Sequence, residues 1–371
     1  MPAPGTPASA VTLAELETDP HPVLARLRAA APVSWVPVLG AWLVTGYDLA
    51  VEVLRDARTF TVDDPRFSTA KVVGPSMLSL DGAQHARHRG PFNRAFRHDE
   101  VHARLASFTQ AEADRLVSAI QPRGAAELRR AVAGPLAVTV MAETLGLGQT
   151  DPARILAWYD GIVAAVQAEA AAGAPPAARA PGPAPVRNAD AAAAVGSAGP
   201  AAFAELAASL REVIATPGSA TLLSEVAGPL TEAEAISNAA VLMFGGIETT
   251  EGMIANALLH LLSSPAELDT VLADRGLVPA AIEESLRLEP AAAVVDRYAT
   301  CDARLGGTGI RAGDQVTPAH AGRLAHRRDD NRGRRHRNLD RDLPHPTGRG
   351  LGHTQCAHHG QNHLGPPPDR A

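Results

Sequence analysis

Residues 235–262 constrain the fold most. The run is long, apolar and nearly free of charge, with Gly245-Gly246 close to its middle. An apolar stretch of this length with no polar face predicts a buried helix crossing the centre of a domain, broken at the two glycines. Thr231, followed three residues later by Glu234, supplies a capping-box pattern at its start.

The rest of the chain reads as helical in the main. Ala and Leu dominate the apolar side, aromatics make up only 4%, and β-branched clusters are short. Helices are predicted over residues 22–31, 83–96, 101–120, 151–171, 201–214 and 269–288, and from a cap at Asp48 to Arg55. A further helix over 125–147 is expected to be interrupted at Gly134-Pro135. Residues 33–38 and 41–45 read as a hairpin, and 291–300 and 309–316 as short strands separated by a Gly306-Gly307 turn. Residues 1–18 are expected to be an irregular arm. Residues 173–200, rich in Ala, Pro and Gly, read as a long surface loop. The prediction is a mainly α fold with a small β lobe.

Residues 317–371 have a different texture. They contain no Val, Ile, Met, Phe, Tyr, Trp, Lys, Glu or Ser, and hold eight of the fourteen His and ten Arg against five Asp. The net charge of -6 therefore divides into about -11 for residues 1–316 and about +5 beyond. An acidic body excludes a general nucleic-acid surface, and the basic segment lacks the interleaved aromatics of a single-strand binder. Two cysteines, Cys301 and Cys356, are too few for a disulfide framework. No leader pattern and no apolar run of membrane-spanning length is seen, so a soluble cytoplasmic protein is expected. The division is read as a body over 1–316 and an aberrant C-terminal segment over 317–371.

Four groups of residues carry candidate chemistry. Gly245-Gly246-Ile247-Glu248-Thr249 interrupts the central helix: small residues allow close packing or the approach of a flat ligand, and Glu248 with Thr249 makes a possible proton relay. Glu284 and Arg287 have the spacing of an intrahelical ion pair. His85 and Arg89 share a helix face and suit a carboxylate ligand or simply a solvated surface. Gly350 and Gly352 precede Cys356, the pattern of a loop that wraps a thiolate. His353, Cys356, His358, His359 and His363 also admit zinc, or only a His/Arg-rich tail.

In order and spacing these pieces resemble the cytochrome P450 family of the soluble bacterial type, from about Pro22 to Val316. Gly245-Gly246-x-Glu248-Thr249 is similar to that family's oxygen-binding motif, and Glu284-Ser285-Leu286-Arg287 to its Glu-x-x-Arg motif. The resemblance implies a haem b whose propionates are held by His85, Arg89 and Arg297, the last within Asp296-Arg297-Tyr298-Ala299. It implies that haem lies against Gly245, that Glu248 and Thr249 deliver protons and hold dioxygen, and that Glu284 and Arg287 are structural. Cys356 is the implied iron ligand, and Cys301 is assigned a structural part. Implied partners are a ferredoxin or similar electron donor with its NAD(P)H-dependent reductase, and a small hydrophobic or natural-product substrate of specialised metabolism.

The cysteine loop departs from the family pattern: Arg349 stands where Phe is usual, Thr354 at the basic position and His358 where Gly follows. The chain also stops soon after Cys356, where the family continues with a long helix. Either a reading-frame shift near Thr317 or a degenerate family member accounts for this. The second alternative implies a haemless partner of a glycosyltransferase in place of a monooxygenase. Pocket walls are expected from Val72, Val73, Met77, Leu78, Leu242, Ile247 and Val294-Val295.

Overall fold

The computed structural model describes residues 7–173, 189–216, 221–223 and 228–319. The chain begins with a 3-10 turn at Pro7–Ala10 and helix α1 (Leu13–Thr18). Thr12 Oγ accepts the Glu15 N–H at 3.3 Å, and the Glu15 carboxylate accepts the Thr12 N–H at 2.9 Å. This reciprocal cap makes a helix within the segment expected to be an irregular arm. Asp19 caps α2 (Pro20–Ala30), with Pro20 preset for the first turn. Val23, Leu24 and Leu27 of α2 pack on Val36 and Leu43 of the hairpin β1 (Val33–Val36) and β2 (Ala41–Val44). Gly46, rather than Asp48, is the N-cap of α3 (Tyr47–Arg55), and Asp48 falls in the first turn, where a carboxylate complements the helix dipole.

After β3 (Phe60–Thr61) and α4 (Ser68–Val73) comes α5 (Gly82–Arg89). The helix predicted to reach residue 96 ends at Arg89, because Pro91 cannot continue its hydrogen bonding, and a 3-10 turn follows at Gly90–Phe92. Next are α6 (His98–Ile120) and α7 (Gly134–Leu145). The interruption expected at Gly134-Pro135 lies one turn earlier, as a π-helical turn at Arg129–Ala133, and Gly134-Pro135 opens α7.

Helix α8 (Pro152–Gly173) packs along α9 (Ala189–Ala215). Part of the predicted loop over 173–200 is therefore helix, and Pro200 lies inside it. Residues 174–188 of that prediction lie outside the described residues. The helices approach closely beside it: a Cβ on Gly199 would sit 2.2 Å from Ala165 Cβ on α8. Ile155, Trp158 and Ile162 of α8 and Leu206 and Leu210 of α9 enclose the first half of α10 (Glu232–Leu262). Each such aliphatic side chain, fully buried, contributes about 1.5–3 kcal/mol. The Thr231/Glu234 capping box forms as predicted. Gly245-Gly246 does not break α10, which is continuous; burial is what changes, since residues 235–241 are all buried and the helix opens from Gly245 onward, with Ile247 still buried.

The single helix predicted over 269–288 is two, α11 (Pro265–Ala273) and α12 (Val278–Leu288). Asp274 turns the chain between them by accepting the Gly276 N–H at 2.9 Å, and Pro279 starts α12. The predicted strand over 291–300 shrinks to β4 (Arg297–Ala299). The Gly306-Gly307 turn joins β5 (Ala303–Leu305) to β6 (Thr308–Ile310), both glycines taking the positive φ that such a hairpin requires. The predicted strand over 309–316 divides between β6 and β7 (Gln315–Pro318). The main sheet has the order β1-β2-β7-β4-β3, with β7 parallel to β2 through Trp42↔Val316 and antiparallel to β4 through Arg297↔Val316. The fold is thus mainly α with a small mixed β lobe.

Candidate cofactor site

Around the buried Ile247, Gly245, Glu248 and Thr249 lie on an exposed face of α10. The two glycines do different work. A Cβ on Gly246 would meet Met141 Sδ at 2.2 Å, so Gly246 admits α7; a Cβ on Gly245 would meet nothing within 4 Å. Thr249 donates its hydroxyl to the Gly245 carbonyl one turn back. Exposure of Glu248 removes the desolvation cost expected of a carboxylate within an apolar helix. Glu251, one turn on, pairs with Arg129 at 2.6 Å. Tyr159 of α8 lies against Phe244, with ring centres 5.6 Å apart. Burial pushes its phenol up to about 12, helped by the negative charges of Glu248 and Glu251.

Strand pairing carries a cation toward α5. Asp81, immediately before α5, accepts the Thr61 hydroxyl at 2.7 Å and the Val62 N–H at 2.8 Å. Thr61 of β3 pairs with Tyr298 of β4, so Arg297 arrives beside Asp81. Burial lowers the Arg297 pKa from its ordinary value, opposed by Asp81 and Asp296. Its guanidinium donates to the Asp296 carbonyl at 2.8 Å. His85 and Arg89 lie four apart on α5, and among the described residues neither is paired with a carboxylate. Their neighbour Arg87 is so paired, to Glu234 at 2.5 Å.

Glu284 and Arg287 make a two-pronged pair on α12, at 2.5 and 2.7 Å. Helix α12 is tied to the second half of α10 by His260 to Ser285 at 3.0 Å and by the Asn256 amide donating to the Glu289 carbonyl at 2.8 Å. Of the expected pocket walls, Val73 and Ile247 are core residues, Val72, Met77 and Leu242 pack against that core, and Leu78 and Val294 are exposed. Cys356 and the other tail residues singled out for thiolate or zinc lie outside the described residues.

Three features are not evident from sequence: the Arg129–Glu251 pair, the buried His88, and Asn238, fully buried within an apolar helix. Ser237-Asn238, a polar pair inside the apolar run, is the signal that points to the last.

The arrangement suits a flat anionic cofactor. An open glycine face can admit a planar ring, and a half-buried guanidinium with the His85/Arg89 face can receive carboxylates. These residues fit a haem with its propionates, as far as the described residues extend. Among the described residues no helix is long and apolar enough to cross a membrane, and no cluster of three His, Cys, Asp or Glu is arranged to hold a metal ion.

Comparison with known proteins agrees. The family model for cytochrome P450 matches residues 35–327. The cytochrome P450 monooxygenase PikC of Streptomyces venezuelae is 32% identical over 323 residues, covering 81% of this chain and 70% of that protein. The vitamin D(3) 25-hydroxylase of Pseudonocardia autotrophica is 28% identical, covering 80% and 72%. Among solved structures, CalO2 superposes with a TM-score of 0.73 at 26% identity, covering 88% of this chain and 80% of its own. A myxobacterial cytochrome P450, CYP267B1 in complex with myristic acid, gives 0.69 at 28% identity, covering 84% and 79%. Fold and likeness converge: the chain belongs to the cytochrome P450 family, whose members are haem-thiolate monooxygenases.

Proposed function

We propose that this protein is a haem b monooxygenase that hydroxylates or epoxidises a small hydrophobic or natural-product substrate. It would use dioxygen and two electrons from a ferredoxin or similar donor with its NAD(P)H-dependent reductase. The observation that carries the reading is the match to the cytochrome P450 family over residues 35–327, supported by the open Gly245–Thr249 face of α10 and by the half-buried Arg297 beside Asp81. A haem held by a cysteine thiolate supplies the oxidative chemistry when bound.

In this reading His85, Arg89 and Arg297 bind the two propionates. Cys356 provides the thiolate, and Glu284 with Arg287 braces the neighbouring helix. Thr249 holds its hydroxyl against the Gly245 carbonyl, poised to hand a proton inward, while the exposed Glu248 exchanges protons with solvent. A related vitamin D(3) hydroxylase and methyl-branched lipid omega-hydroxylase, and the myristic acid complex above, support an apolar substrate.

Haem reconstitution of the full chain tests this. Uptake of one haem, with the red-shifted band of the reduced carbon monoxide complex abolished by Cys356→Ala, is the expected result. Failure to take up haem overturns the reading.

A further inference from the structure

Two consecutive polar side chains, Ser237 and Asn238, are buried on the apolar half of α10. Such groups are costly unless every hydrogen-bonding atom is satisfied. Both act on the loop that follows α4. Ser237 Oγ donates to the Val73 carbonyl at 2.6 Å, and Asn238 Oδ1 accepts the Met77 N–H at 2.8 Å. Between these points the chain turns at Gly74, with φ +85°, where a Cβ would stand 3.0 Å from Ser237 Oγ.

The Asn238 amide cannot rotate without loss. Its nitrogen donates to the Glu234 carbonyl at 2.7 Å, and its second hydrogen faces His88 Nδ1 at 3.0 Å. Since the amide oxygen is committed to Met77, the side of Asn238 that faces His88 Nδ1 is its nitrogen. The other ring nitrogen, Nε2, lies 3.0 Å from Arg87 Nη2 and 3.5 Å from Glu234 Oε1. His88 is itself only 2% exposed and stands between the Arg87–Glu234 pair and the amide, so the pair holds the ring that braces Asn238.

We propose that Asn238, braced by His88, is a positioning residue that sets the Val73–Leu78 wall of the substrate pocket. Substrate fit is then controlled from a buried polar cluster on α10, behind the loop rather than in contact with the substrate. Leu78, 47% exposed, is the side chain this wall presents, one residue after the clamped Met77 amide. The naming of a substrate pocket rests on the proposed function; the clamp itself does not.

Hydrogen exchange at the Met77 amide of the full chain tests the clamp without haem. Asn238→Leu should speed it by at least ~30-fold, the size of a lost buried hydrogen bond, while Ala240 and Ile162 keep their protection. His88→Phe, which leaves the acceptor but frees the amide, should give a smaller rise, and His88→Asn should restore slow exchange through its own carbonyl oxygen. The His88 pair decides the matter should Asn238→Leu not fold. Unchanged Met77 exchange, or a rise shared equally by all three amides, overturns the proposal.

In haem-loaded protein, His88→Phe should change the ratio of imidazole to 4-phenylimidazole affinity by about fivefold or more, with haem content unaltered. A loosened loop with an unmoved ratio also overturns it. If the wild-type chain takes up no haem, the proposed function fails, and the exchange result alone decides the positioning claim.

Discussion

Trp42 donates its indole N–H to Asp314 Oδ2 at 2.8 Å, linking the first hairpin to the last turn across 272 positions of chain. The same oxygen accepts the Arg311 N–H at 3.0 Å, so one carboxylate shapes the turn before β7 and fastens it to β2. Asp314→Ala should cost about 1–3 kcal/mol, because it leaves a half-buried indole donor unsatisfied. Trp42→Phe in that background should add less than it does alone. Denaturant titrations of the four proteins in the cycle check both statements.

The contact of α8 with α9 depends on Gly199. Its Cβ position lies 2.2 Å from a rigid Ala165 Cβ and 3.2 Å from the Gly161 carbonyl. Gly199→Ala should therefore destabilise by about 1–3 kcal/mol, and Ala165→Gly should recover part of the loss. Recovery by an unrelated Ala→Gly change on α8 would contradict the steric account.

Arg297 separates binding from stability. Arg297→Leu should leave the stability of the haem-free chain unchanged or raised, since burial already penalises its charge. It should weaken haem retention by about tenfold or more, the worth of one charge-assisted contact. Thermal melts of haem-free protein and haem transfer to apomyoglobin give the two readings.

Thr249→Ala removes only a hydroxyl that donates to the Gly245 carbonyl. Haem content should stay nearly intact, while peroxide released per NAD(P)H consumed should rise at the cost of product. Unchanged coupling would reduce Thr249 to a packing residue.

Tyr159 and Tyr298 are both pushed up to about 12, chiefly by burial. The folded chain then holds these protons more tightly than the unfolded chain, whose phenols release them near 10. Their contribution to stability is complete below pH 10 and is lost as pH rises toward 12. Phenolate absorbance of native protein should still be climbing near pH 12, and Tyr159→Phe should remove part of that late rise. A single step centred at pH 10 in native protein would contradict this.

Residue type and spacing were enough wherever the partners of a contact lie close together along the chain. The Thr231/Glu234 cap, the Glu284–Arg287 pair, the first hairpin and the central helix all depend on neighbours a few residues apart, and residue type and spacing suffice to locate each. Family membership is legible for a related reason: residue types and their order from His85 to Arg297 resemble the family whose model matches residues 35–327.

Features that depend on remote partners became visible only in the folded chain. Pro200 sits inside a helix against the local preference of proline, in a segment of α9 that packs along α8. Gly245 and Gly246 look equivalent in sequence, yet only the second meets a neighbour, Met141 of α7. Asn238 reads as a misplaced amide until the fold brings Met77 and His88, 161 and 150 positions away, to its two ends. Local hydrogen bonds fix their partners through backbone spacing alone, whereas partners this remote are chosen only when the whole core closes, at a cost in chain entropy that no single motif can meet.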